Sequence, residues 1–255
     1  MPLEEFLEAL ADPAADTAVG EFVELSDLDP AELGVFAQTW FGIDVEHQRW
    51  IISTMLELAE QNPEFDFSSV FKMCLKDPDE AVLEKSMEGL WESEDRSIIP
   101  GLIQVLNSGK SAHVRSLAAV ALGKFSGLVQ DGKLLLKDGE AIHDCLMAIL
   151  ANEEVHMEVR RRSLEAIAPF NTEEIQRLVT LAYQDEDLLL KSSSIFAMGR
   201  TGEVSWLPVL IKELENPEPS IRYETANACA ELAEEEAVPH LIALLKDDDD
   251  QVQLA

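Results

Sequence analysis

The sequence predicts an all-α protein: an α-solenoid of stacked helical hairpins behind an N-terminal helical cap. Three observations carry that prediction. A ten-residue pattern, Val114-Arg115-Ser116-Leu117-Ala118-Ala119-Val120-Ala121-Leu122-Gly123, recurs from Val82, Val159, Leu190 and Ile221, and begins again at Val252. Successive starts lie 32, 45, 31, 31 and 31 residues apart, the spacing of repeated supersecondary units. Each copy holds its apolar side chains at helical intervals, and no alternating β-branched run marks a strand.

From the N-terminus, residues 1–66 do not match the repeat and are expected to form a helical cap, which solenoids need over their first exposed face. Residues 3–10 form a short amphipathic pattern. Asp29-Pro30 is an N-cap followed by proline at the first helical position, opening a helix over 30–41. A second helix is expected over 45–61, with Trp50, Ile51, Met55, Leu56 and Leu58. Trp40 and Trp50 read as packing anchors of this cap.

The array follows over 67–255, as five helix pairs and a truncated sixth. First helices are expected over 67–76, 99–106, 142–150, 175–182, 207–214 and 238–245. Pro100, Pro208 and Pro239 sit early in three of them, where a missing N–H costs little. Turns follow, rich in residues that cap helices and break them: Asp77-Pro78-Asp79, Asn107-Ser108-Gly109, Asp185-Glu186-Asp187 and Asn216-Pro217-Glu218-Pro219. Second helices open on an aliphatic residue: Val82, Val114, Val159, Leu190, Ile221 and Val252. Four residues on, the side chain is small: Ser86, Ala118, Ser163, Ser194 and Thr225. Seven on it is glycine or alanine, and eight on it is apolar. These positions cover one face of a helix and let a neighbouring helix approach closely.

The run Ala237-Val238-Pro239-His240-Leu241-Ile242-Ala243-Leu244-Leu245-Lys246-Asp247-Asp248-Asp249, followed by Val252, resembles the short HEAT-like repeat, the variety also found in phycobilisome bilin lyases. Val114-Arg115 and Ile221-Arg222-Tyr223-Glu224-Thr225-Ala226 fit the same pattern. The resemblance covers residues 67–255. It implies a solenoid fold and, for most such proteins, a scaffold for other proteins.

Two departures interrupt the array. An insertion at 124–140 contains Gly127, Gly132 and Gly139 around Leu134-Leu135-Leu136. It reads either as a binding loop on one face or as an extended helix end. Its Gly127–Gly132 spacing is not a phosphate loop, because Lys133 is not followed by serine or threonine. At the other end, Val252-Gln253-Leu254-Ala255 is the first turn of a second helix. The expectation is that the array continues into further repeats or pairs there with another chain.

Composition narrows the function. The chain of 255 residues carries 50 acidic and 19 basic side chains, a formal charge of −31. Such a balance opposes nucleic-acid phosphates and anionic membranes, whose binding rests on lysine and arginine. Acid is densest at the start, with 19 acids against 3 bases in residues 1–80. The N-terminus lacks the basic start and apolar run of a secretory signal, and no apolar stretch reaches the ~20 residues of a membrane span. Cys74, Cys145 and Cys229 are too scattered for a disulfide framework or a zinc site and read as reduced core thiols. These features point to the cytoplasm.

No chemistry-bearing constellation emerges. The histidines His47, His113, His143, His156 and His240 show no metal-binding spacing. Iron hydroxylases resembling this fold carry His-Glu pairs, whereas the adjacency here is reversed, Glu46-His47. No Gly-x-Ser-x-Gly elbow is present. The Trp-x-x-x-Asn ladder of armadillo proteins is absent too. No metal, cofactor or catalytic residue is assigned.

Two recurring positions remain. The residue after the opener is basic at Arg115, Arg160, Lys191 and Arg222, which reads as a structural ladder pairing with turn carboxylates such as Asp185, Asp187 or Glu218. Positions two, six and ten after the opener face outward on the second helices. There Val120, Arg161, Glu165, Phe196, Arg200, Tyr223 and Asn227, with Trp91 at position nine, combine aromatic and charged groups as interface anchors do. The function expected is therefore a non-enzymatic scaffold or adaptor, with a protein or peptide on this inner face and a basic partner favoured on electrostatic grounds. Two alternatives stand beside it: a chromophore-handling protein like the bilin lyases, and a regulatory repeat domain of a longer chain.

Overall fold

A computed structural model describes residues 3–12, 15 and 18–255, which contain helices and turns and no strand. By contacts the chain divides into two compact units, Met1–Ala118 and Ala119–Ala255.

The first unit opens with α1 (Leu3–Ala11), a 3-10 turn at Val19–Leu25, α2 (Pro30–Trp40) and α3 (Val45–Gln61). Asp29 starts α2 with a capping box: its carboxylate accepts from the amides of Ala31 and Glu32, and Glu32 returns a bond to the Asp29 amide. Next come α4 (Ser68–Cys74) and α5 (Glu80–Gly89), then α6 (Ile99–Leu106) and the start of α7 (Ala112–Gln130). Helix α2 packs on α4 and α3 on α5, so the two cap helices sit against the first repeat pair. Trp40 anchors the junction. It is fully buried, and its indole N–H donates to Asp77 Oδ2 at 2.7 Å. Trp50 remains 41% exposed, edge-on to Phe22 and stacked on His47.

The second unit holds the rest of α7, then α8 (Leu136–Ala151), α9 (Met157–Ile167), α10 (Glu173–Tyr183), α11 (Leu188–Arg200), α12 (Leu207–Glu213), α13 (Pro219–Leu232), α14 (Val238–Leu244) and α15 (Asp250–Leu254). The insertion takes the form of an extended helix end: α7 runs unbroken to Gln130, Gly132 turns the chain with a positive φ of 70°, and α8 begins at Leu136. A longer binding loop is not formed. Short 3-10 turns lead into the helices that carry Pro100, Pro208 and Pro239 at their second residue.

One local device joins the helices of five of the hairpins. The side chains of Asp77, Asn152, Asp185, Asn216 and Asp247 accept from the amide two residues on. A second acid then caps the next helix: Asp79, Asp187 and Asp249 each accept from two amides of its first turn. Asp187→Ala is expected to cost about 1 kcal/mol, the usual value of such a cap. A lowered urea midpoint, with faster hydrogen exchange confined to the first turn of α11, would register it.

The small position four residues into each second helix serves a related end. Ser86, Ser163 and Thr225 are fully buried, and each hydroxyl donates to the carbonyl of the opener, Val82, Val159 or Ile221. Satisfied within their own helix, these hydroxyls demand nothing from the neighbour and keep the face narrow. Helices then approach to backbone contact. A Cβ at Gly199 would lie 2.8 Å from Ala228 Cα, and one at Gly123 3.1 Å from Ala166 Cα. Cys74, Cys145 and Cys229 are buried, and burial raises the thiols of Cys74 and Cys229, the latter to about 11.

Candidate functional site

Helices α9, α11 and α13 are consecutive second helices of the array, with α11 packed on both of the others. The close approach of Gly199 to Ala228 sets α11 and α13 side by side, so side chains flanking that contact wall a recess of about 700 Å³. Phe196 and Tyr223 stand on its rim, 36% and 40% exposed. Asn227 lies one turn beyond Tyr223 on the same wall.

The charged groups come from all three helices. On α9, Arg162 bonds Glu165 at 2.8 Å and Glu158 at 3.4 Å. Arg161 turns away to Glu158 at 2.6 Å and donates to the Ser193 hydroxyl, which itself donates to Glu165 at 2.5 Å. Arg200, from α11, meets Glu231 of α13 at 3.4 Å. Gly127, on the extended end of α7, leaves room for that guanidinium, since a Cβ there would lie 3.1 Å from its Nη2. Glu224 completes the wall. Burial raises its carboxyl to about 7, Glu165 adds to the effect, and Arg162 opposes it.

Of the interface residues expected from sequence, Glu165, Phe196, Arg200, Tyr223 and Asn227 come together in this recess. Arg161 does not line it, being held by Glu158 and Ser193, and it reaches the recess only through its pair with Glu165 at 3.6 Å. Val120 is partly buried on α7, outside the recess. Trp91 belongs to the other unit, in the turn after α5, and is 49% exposed. Glu231 lies at position ten of the expected strip and lines the recess; sequence reasoning missed Arg162 and Glu224. These two occupy position three of their copies; a strip centred on positions three, six and ten would have included them.

In the ladder of bases, Arg222 pairs with turn acids of the following repeat as expected, and Arg115 and Lys191 take other partners. Arg115 Nε donates to the Leu106 carbonyl at 2.8 Å. Lys191 pairs with Glu213 of the next first helix at 3.1 Å. Arg222 bonds Asp247 and Asp248 and also the carbonyls of Asn216 and Pro217, tying its own turn to the following one. Among the described residues, the Nε of Arg160 is buried with no acceptor. Asp185 and Asp187 instead accept backbone amides within their turn.

Among the described residues no three histidines, cysteines or acids converge as metal ligands, and no helix is long and apolar enough to cross a membrane. Stacked hairpins with one recess on their second helices define a helical-repeat solenoid. Residues 175–255 match the family model described as HEAT repeats. Similar solved structures include YibA of Escherichia coli, at 16% identity over 81% of this chain and 71% of that one, with a TM-score of 0.49. Kap121p is 14% identical over 99% of this chain and 28% of its own, with a TM-score of 0.48. Human deoxyhypusine hydroxylase is 16% identical over 99% and 92%, with a TM-score of 0.37. No curated protein sequence matches.

Proposed function

We propose that this protein is a non-enzymatic interaction scaffold, whose α9–α11–α13 recess receives a segment of a protein or peptide. The array over 67–255 presents the surface, and residues 1–66 close its first face. The observation that carries the reading is the exposure of Phe196 and Tyr223 together at the rim of a concave, charge-lined wall. Exposed aromatics beside arginines supply most of the binding energy at protein interfaces. The long-range field of a chain with charge −31 favours a partner of basic character and speeds its encounter at low salt. The three scattered, buried cysteines suit a reducing compartment, in keeping with a cytoplasmic protein.

The test is a peptide selection on the full chain, followed by titration of the selected peptides against Phe196→Ala and Tyr223→Ala. Each substitution is expected to weaken binding about thirtyfold, the effect of losing a hot spot of ~2 kcal/mol. Far-UV circular dichroism controls for folding. Selected peptides that bind both variants as tightly as the parent would overturn the assignment of the recess.

A further inference from the structure

The charged groups of the recess are unequally committed. Three carboxylates, Glu165, Glu224 and Glu231, face two guanidinium groups, Arg162 and Arg200. Glu165 is held by Arg162, by Arg161 at 3.6 Å and by the Ser193 hydroxyl, and Glu231 by Arg200. Arg162 is further neutralised by Glu158. Glu224, half-buried on the wall, has neither a hydrogen-bond nor an ion-pair partner among the described residues. A carboxylate taken out of water without a partner is unstable in its charged form, and it gains most from a cation delivered to it. The neighbouring aromatic rims favour a planar, weakly hydrated cation over a compact ammonium.

Resting on the scaffold reading above, we propose that the recess seats an arginine side chain of its peptide partner against Glu224, and that seating it expels the proton from that carboxyl to solvent. Partner binding is then coupled to pH near neutrality. Burial sets the resting carboxyl to about 7, so it is largely protonated below that pH and largely ionised above it. The sign follows: a cation binds the ionised form, and affinity rises with pH through that value. The charged groups facing Glu224 are Arg162 and Glu165 from α9, Arg200 from α11 and Glu231 from its own helix.

The probe is a fluorescein-labelled decapeptide of serines and leucines around one arginine, with a citrulline counterpart of the same shape and no charge. Both are titrated against the full chain at physiological salt, which screens the general acidity beyond about 8 Å. Between about pH 6 and about pH 8 the arginine peptide is expected to bind about tenfold more tightly, following the ionised fraction of one group. Calorimetry in buffers of different ionisation enthalpy should record up to one proton released at the lower pH. Glu224→Gln should abolish the pH slope and the proton release while keeping the shape of the wall. The proposal is overturned if the slope survives in Glu224→Gln, or if the arginine peptide does not bind. Equal binding of the citrulline peptide overturns it while leaving the scaffold reading intact. Loss of every selected peptide's dependence on Phe196 and Tyr223 strikes the scaffold reading itself.

Discussion

Trp40→Ala is expected to destabilise the N-terminal unit by about 4 kcal/mol, the upper range for removing a large buried aromatic. The physical case rests on two losses. Trp40 is fully buried at the junction of the cap helices with the first repeat, beside Phe36 at a ring distance of 5.5 Å. Its removal opens a cavity among side chains that cannot all collapse inward. It also withdraws the N–H from Asp77 Oδ2, and Asp77 is itself only 4% exposed. Asp77 keeps its second task through Oδ1, accepting the Asp79 amide, so the turn is weakened without being undone. Trp40→Phe separates the contributions, because it keeps much of the ring volume and removes only the donor. Urea denaturation followed by circular dichroism gives the size of each change. Hydrogen exchange resolved along the chain should place both in residues 30–89, with 188–232 unaffected. Equal protection of both segments in Trp40→Ala would show that the cap does not depend on this contact.

The second large effect is expected from Gly199→Val, at about 3 kcal/mol, the range in which overpacking of a tight interior falls. The neighbour that a Cβ would strike is main chain: Ala228 Cα at 2.8 Å and its carbonyl oxygen at 3.1 Å. A flexible side chain can swing aside, whereas a helix backbone must move as a body. Helix propensity works in the other direction, because glycine is the poorer helix former by about 1 kcal/mol relative to alanine. Sterics prevail since the two helices touch along their whole packed face. Gly34, in α2, provides the contrast: a Cβ there meets nothing within 4 Å. Gly34→Ala is accordingly expected to leave stability unchanged or raise it slightly. Thermal unfolding checks both, and a Gly199→Val midpoint equal to the parent's would refute the close-packing account. The same variant should lose peptide binding, because Phe196 and Tyr223 ride on the helices it separates.

The helical array was legible in the sequence because its cause is local and repeated. An aliphatic opener, a small residue four on and glycine or alanine seven on can be seen only if helices pack closely at that spot each time. Helix α3 falls on the expected bounds, Val45–Gln61, and the turn acids sit at the ends they were expected to cap. The candidate site was legible in part. Phe196, Tyr223, Arg200, Glu165 and Asn227 share a stripe that periodicity can trace. Arg162 and Glu224 were not found, because rotating the stripe by one residue changes which of two adjacent arginines points into the recess. Glu158 bonds both arginines, so the Ser193 contact of Arg161 is what separates it from Arg162, and Ser193 is 32 residues away. The partner of Lys191 was hidden for the same reason. Glu213 lies one repeat onward, and pairing across repeats is a matter of register that a single copy does not contain.

The backbone contact between Gly199 and Ala228 has a thermodynamic side. A groove whose floor is two helices in direct touch has little freedom left to lose when a ligand settles on it. The ordering entropy of association therefore falls almost wholly on the guest, and an extended peptide surrenders its flexibility while its host surrenders next to none. Stiffening the guest beforehand, by a ring closure or a proline at a compatible position, should then strengthen the complex more than any added contact on the host.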